Sequence, residues 1–142
     1  MLVDRVSDYD AYWRDPQFRV KRPLLRGSLM QCYGDNIYHR HLRTREWLQA
    51  NSMHSLEDGF NPINLEHDTK TTDRILLARR FVYWGGSGPA IPKRFRNFDG
   101  RDVCGGRGHQ STFSKELVQA FSDWLNGLNL QGVVGKPTDW PA

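Results

Sequence analysis

Sulfur and long apolar runs are what this chain most lacks. Two cysteines occur in 142 residues, Cys32 and Cys104. That is too few for a disulfide framework, so a reducing compartment is expected. No apolar stretch approaches the roughly 20 residues that span a bilayer, and no secretory leader pattern opens the sequence. The expectation is therefore a soluble, cytoplasmic protein with no membrane partner. CxxC and HxxxH pairs are absent, which removes the familiar zinc spacings, and no metal is assigned. No Gly-Lys-Ser/Thr closes a glycine run, which removes the P-loop. Internal repeats and low-complexity segments are also missing.

What the chain has is aromatic mass, positive charge and glycine. Hydrophobic residues make up 38 %, low for a globular domain, but five Trp, five Tyr and seven Phe can fill a core with few large side chains. The length suits one domain with a single core. A net charge of +4 and a pI near 9.3 are compatible with a polyanionic partner without identifying one. The charge is clustered, first at Arg19, Lys21, Arg22 and Arg26, then at Arg40, Arg43 and Arg45, and again at Lys93, Arg94, Arg96, Arg101 and Arg107. Arginine dominates, which suits bidentate phosphate contacts and stacking on bases. Taken singly, each cluster reads first as a solvated basic face.

Two glycine-rich loops stand out, Tyr83-Trp84-Gly85-Gly86-Ser87-Gly88-Pro89 and Val103-Cys104-Gly105-Gly106-Arg107-Gly108-His109. Glycine loses the most backbone freedom on folding, so such density marks positive φ or close approach of the backbone to something else. Tight turns account for many such loops. Here Trp84, Ser87, Arg107 and His109 accompany the glycines, which favours a binding surface.

Along the chain, Leu2–Val6 alternates like a short strand. Ser7 and Asp8 are helix-starting residues ahead of Tyr9, Tyr12 and Trp13, and Asp15-Pro16 ends that helix. A basic loop is expected to Gly27. Ile37-Tyr38 and Glu46-Trp47-Leu48 read as two short strands joined through His41. The stretch 51–72 has no periodicity and reads as a long loop, the kind that is functional or partly disordered. Arg74–Trp84 alternates as the strongest strand candidate, and 93–98 as a helical turn. Ser114 caps a helix from Lys115 to about Leu128, with Leu117, Val118, Phe121, Trp124, Leu125 and Leu128 as its apolar stripe. From Asn129 the chain reads as a loose tail.

Several constellations carry chemistry. His39 and His41 would share one face of a strand, because side chains alternate with period two. Cys104 and His109 bracket the second glycine loop. His54, Glu57, Asp58, His67 and Asp68 cluster in the long polar segment and could act as acid and base or hold a divalent ion, although a solvated polar loop explains them more simply. Ser87 lacks the full nucleophile elbow, since Trp84 stands where the first glycine belongs. Recognition survives best: Tyr83, Trp84 or Phe98 could stack on a base while loop N–H groups and Arg94, Arg96 and Arg107 hold phosphates. Tyr83 and Trp84 point to opposite faces of a strand, so at most one is expected to be free.

A wider pattern joins these residues. Gly34-Asp35-Asn36-Ile37-Tyr38-His39, Ser52-Met53-His54-Ser55, Asn64-Leu65-Glu66-His67-Asp68-Thr69 and the two glycine loops follow one another in order, with Tyr12-Trp13 upstream and the final helix downstream. This succession resembles the nucleotide modification associated domain family, second type, up to about Leu128. The resemblance implies a bacterial or phage protein linked to DNA base modification, and implies a pathway more firmly than a reaction. The site positions it implies are Asn36, Tyr38, His39, His54, Asn64, His67, Asp68, Gly86, Ser87, Gly88, Arg107 and His109. Residues 1–128 would then be the domain and 129–142 the tail. The strand, short Tyr/Trp helix and basic loop near the start are also similar to base-reading barrels of the PUA and EVE type.

The fold class expected is α+β: a small, curved, mostly antiparallel sheet, incomplete if PUA/EVE-like, with a C-terminal amphipathic helix packed on it. The function expected is binding of nucleic acid or a modified nucleotide, with no cofactor identified. The alternatives are a metal- or His/Asp-dependent enzyme acting on a nucleotide base or phosphodiester through His54, His67, Asp68 and His109, and a degenerate scaffold. Family members usually carry a further N-terminal segment with strands, and its absence would expose a sheet edge. The chain is therefore expected to self-associate or to be marginally stable. Sizing chromatography with a thermal melt checks this, and a monomer with a sharp, high-temperature transition would contradict it.

Overall fold

At Asp8 a strand becomes a helix. In the computed structural model, which describes residues 1–57, 59–106 and 110–138, strand β1 (Arg5–Asp8) runs straight into helix α1 (Tyr9–Arg14). Asp8 is extended, and its carboxylate accepts the Ala11 N–H at 2.7 Å, which satisfies one orphan donor of the first turn. Asp15 repeats the device, capping a 3-10 turn over Pro16–Lys21 within the stretch expected as loop.

The chain forms two compact units, Leu2–Arg79 and Arg80–Ala142, each described by itself. In the first, β1 pairs antiparallel with β4 (Arg74–Leu77), Arg5 opposite Leu77 and Asp8 opposite Arg74. A second antiparallel pair joins β2 (Tyr38–Arg40) to β3 (Trp47–Gln49), with Tyr38 opposite Gln49 and Arg40 opposite Trp47. Helix α2 (Leu29–Cys32) opens on a capping box between Ser28 and Gln31. Tyr12, Cys32 and Tyr38 are the buried apolar side chains of this first unit among the described residues, beside buried Asp10, Asn36 and Ser52. Gly34 sits where a Cβ would stand 2.3 Å from the Lys21 carbonyl oxygen, so no side chain fits.

The long loop expected over 51–72 contains a helix, α3 (Pro62–Thr69). Its start was written as Asn61-Pro62, an N-cap followed by proline at the first helical position. Periodicity missed it because none of its residues is buried, so it has no apolar stripe to detect. The single strand expected over Arg74–Trp84 is likewise divided. It ends at Leu77, and β5 covers only Val82–Tyr83. Between them the Arg79 N–H donates to the Asp4 carboxylate, a side-chain partner in place of a continuing ladder.

In the second unit, β5 pairs parallel with β6 (Gly132–Val133), inside the segment expected as a tail. The first glycine loop is a 3-10 turn (Gly85–Ser87) laid against the backbone of Gly135 and Lys136. Helix α4 (Lys93–Arg96) matches the expected turn, and Phe98 and Arg101 exchange two hydrogen bonds across Asp99 and Gly100, both with positive φ. Helix α5 (Lys115–Gly127) starts where expected, with the Ser114 hydroxyl accepting the Leu117 N–H. Fully buried Phe95 meets Phe121 and Trp124 at 5.2 and 5.6 Å between ring centroids, with Leu117 buried as well. Burying each such side chain is worth about 1.5–3 kcal/mol. The C-terminal helix thus rests on α4 through its aromatic stripe.

The architecture is α+β with small, mostly antiparallel strand pairs that do not close into a barrel among the described residues. No helix among them is long and apolar enough to cross a membrane.

Gly85 has φ +58°, and a Cβ there would lie 1.8 Å from the Lys136 carbonyl oxygen. Gly85→Ala is expected to destabilise the protein by more than the ~1 kcal/mol typical of a glycine–alanine exchange, because a backbone atom must move. Gly127→Ala, at the end of α5 with nothing within 4 Å, is expected to be neutral or stabilising by up to about 1 kcal/mol. Urea unfolding of both variants measures the contrast.

Candidate functional site

Asp10 lies in the first turn of α1 and is only 6 % exposed. One carboxylate oxygen accepts the Arg40 N–H at 2.6 Å, and the other accepts the Arg45 guanidinium at 2.7 Å. The Arg40 guanidinium is 3.8 Å away. Burial pushes the carboxyl upward, but these donors and charges outweigh it and hold Asp10 below the usual carboxylate range. Arg45 reaches Asp10 from the β2–β3 turn, where it takes φ +62°.

That turn is braced from within. His41 N–H donates to the Glu46 carbonyl at 2.8 Å, and Arg45 N–H to the His41 carbonyl at 3.0 Å. Thr44 N–H donates to His41 Nδ1 at 3.2 Å, so a neutral His41 carries its proton on Nε2. The Thr44 hydroxyl donates to the Glu46 carboxylate.

Trp13 follows Asp10 by three residues and so shares its helix face. Its indole lies parallel to the His39 ring of β2, with centroids 3.9 Å apart and planes 5° apart. The Arg22 guanidinium is 3.7 Å from the indole centroid and donates to the Trp13 carbonyl. His39 Nδ1 is buried without a hydrogen-bond partner among the described residues. Desolvation, reinforced by the charge of Arg22, pulls the His39 pKa below its ordinary value, with Asp10 opposing.

Between α1 and the hairpin these side chains enclose an open cleft of about 630 Å³, within the range of small-ligand sites. Trp13 and His39 form its aromatic wall, and Arg14, Arg40 and Arg43 its cationic side. His41, Leu42 and Leu48 complete the lining. Arg40 lies over Trp47 at 4.2 Å. Arg14 and Arg43 have no ion-pair partner among the described residues. The cleft can therefore hold a planar, apolar group against its wall and an anionic group against its cations.

Of the positions expected from sequence, His39 lines this cleft, and so does His41, which follows the end of β2, with Arg40 between them lining it as well. Tyr38 points the other way, is buried, and donates its hydroxyl to Asp68 Oδ2 at 2.9 Å. Burial and then Asp68 push the Tyr38 phenol well above its ordinary range. The Asp68 carbonyl accepts the Tyr9 hydroxyl, and His67 Nδ1 lies 2.9 Å from Asp68 Oδ1. Tyr38, His67 and Asp68 are thus gathered, and they anchor α3. Asn36 is 1 % exposed, and its amide donates to the Tyr12 and Phe18 carbonyls, an internal brace. His54 meets the Tyr33 ring edge-on, and its carbonyl accepts the Asn61 amide. Asn64 N–H donates to the Asn61 cap. None of these lines the cleft.

In the second unit, Tyr83 is 45 % exposed, whereas the Trp84 indole N–H is buried without a partner among the described residues. Gly86 N–H donates to the Lys136 carbonyl and Ser87 N–H to the Trp84 carbonyl, while Gly88 follows in extended conformation. Arg96 is held by Asp102 through Nε at 2.8 and 2.9 Å, and Arg94 lies 4.7 Å over the Phe95 ring. Arg107, His109 and Asp58 lie outside the described residues. Among the described residues no three His, Cys, Asp or Glu side chains are grouped to hold a metal ion.

Sequence reasoning missed Asp10, Trp13, Arg14, Leu42 and Leu48 as cleft residues. The sequence places Trp13 only on one face of a short helix, and Arg40 and Arg43 in a cluster that reads as a solvated basic face. The available signal was a leucine in an otherwise polar hairpin turn, next to the paired histidines.

A family model described as nucleotide modification associated domain 2 matches residues 1–142, the whole chain. No curated protein and no solved structure matches.

His39 is expected to titrate below the ~6.5 of a free imidazole, and Trp13→Ala, which opens the ring to water, to move its midpoint upward. A lowered folded-state pKa means the unfolded chain takes up the proton first. This contribution to stability is therefore complete above pH ~6.5 and is lost as pH falls through the folded value. Ring-proton NMR titration of both proteins checks the order of the two midpoints.

Proposed function

The chain belongs to the nucleotide modification associated domain 2 family, and from that premise we propose that it binds nucleic acid or a modified nucleotide in DNA base modification. The observation that carries this reading is the cleft beside the β2–β3 hairpin, where an aromatic wall faces uncommitted arginines. His39 covers one face of the Trp13 indole and Arg22 the other, so a base lies against the His39 end of this stack, while its phosphate lies within the field of Arg14 and Arg43. The expected arginines of the second unit support binding less, because Arg96 is neutralised by Asp102 and Arg94 covers Phe95. Tyr83 keeps an exposed ring there and remains a candidate for further base contact.

Self-association is proposed through β1–β4. Each of these strands has only the other as a strand partner among the described residues, which leaves two edges able to extend the sheet.

Titration of the full chain with a short single-stranded DNA, followed by tryptophan fluorescence, tests the reading. Binding is expected to weaken steeply with salt. Arg43→Ala is expected to lower the slope of log K against log salt by about 1. His39→Ala is expected to cost roughly 1–3 kcal/mol, the value of one base–aromatic contact. Absence of binding at low salt, or binding indifferent to both substitutions, would contradict the proposal.

A further inference from the structure

Leu42 is the only apolar residue between β2 and β3, and it is 74 % exposed. A lone exposed leucine is ordinary on protein surfaces and needs no explanation. This one differs in where it is held. It stands on the rim of the cleft, on a turn braced by His41, Thr44, Glu46 and the Arg45–Asp10 contact. Beside it Arg43 is exposed and without an ion-pair partner among the described residues. An apolar tip on a rigid turn, with a cation next to it and an aromatic-walled cleft behind it, has the form of a wedge.

We propose that the cleft takes a base rotated out of a DNA duplex, with Leu42 filling the gap left in the stack and Arg43 on the flanking phosphate. This rests on the nucleotide-binding reading above. A base inside a duplex cannot reach a concave site without leaving the stack. Unstacking a base step is costly, and an inserted apolar side chain offsets that cost. A two-stranded ribbon fits the ~12 Å major groove of B-form DNA, whereas the deep, narrow groove of A-form RNA does not admit side chains. The ligand inferred is therefore duplex DNA with one weakly stacked or mispaired base.

The test uses the full chain and a short DNA duplex with 2-aminopurine at a mismatch, next to the same strand unpaired. Fluorescence of 2-aminopurine is expected to rise several-fold when the duplex binds, as the base leaves its neighbours. Leu42→Ala is expected to abolish that rise and to lower duplex affinity on the order of tenfold more than single-strand affinity. Leu42→Phe, still an apolar wedge, is expected to restore both. An undiminished rise in Leu42→Ala, or equal losses on duplex and single strand, would overturn the wedge. Single-strand binding by the unaltered chain with no 2-aminopurine response in the duplex would overturn it alone. Failure to bind the single strand would overturn the nucleotide-binding reading as well.

Discussion

Asp10 is acidic, nearly inaccessible to water and fully committed, and the geometry of the first unit depends on that commitment. Its two carboxylate oxygens accept from the backbone of Arg40 and the side chain of Arg45, so one residue of α1 fixes both a strand and the turn that follows it. A buried carboxylate without such donors would be strongly unfavourable. With them, α1 and the hairpin are held at the separation that lets Trp13 meet His39 face to face and leaves a cleft beside them. The left-handed backbone of Arg45 is the strain this arrangement tolerates to bring the guanidinium round. The wall, the cations and the tip are set by the same anchor.

Part of the local structure was legible because it is written in capping chemistry: Asp8 and Ser114 each cap the helix they precede, as expected. Asp15 and Ser28 cap turns too, but Asp15 reads as the end of α1, the stretch to Gly27 as loop, and no helix was expected after Ser28. The amphipathic stripe of α5 was legible for the usual reason, since Phe121 and Trp124 must find Phe95. Helix α3 was hidden because hydrophobic periodicity reports burial, and α3 buries nothing. The break after Leu77 was hidden because Ile75, Leu77, Phe81 and Tyr83 keep their alternation across it. No local signal marks the Arg79 amide as captured by Asp4, 75 residues earlier in the chain.

The candidate site was legible only in part, and the division follows from what each residue has to do. His39 was found through the family resemblance and through strand alternation. Three of the other matching positions in the first unit act as braces: Asn36 under α1, and Tyr38 and Asp68 between β2 and α3. Motif residues of this kind are informative about the fold because a buried polar group must be satisfied, and the partners that satisfy it are far away in sequence. The cleft residues that no motif marked are ordinary arginines, a tryptophan and two leucines. Their significance comes from a tertiary juxtaposition that no spacing encodes. The same distinction applies to charge: Arg96 and Arg94 are spent on Asp102 and Phe95, while Arg14 and Arg43 remain available.

The first glycine loop, rich enough to suggest a ligand, is explained by its neighbour in the fold. Gly85 and Gly135 let two backbone segments touch, since a Cβ at Gly85 would strike the Lys136 carbonyl and one at Gly135 the Trp84 carbonyl. This contact, with the β5–β6 pairing, bears on how the protein can be handled. A reporter or affinity tag replacing everything after Leu128 would take away the strand partner that Val82–Tyr83 has among the described residues and the acceptor of the Gly86 amide. A fusion joined beyond Lys136 would keep both, and the second unit would retain the contact that its glycines exist to permit.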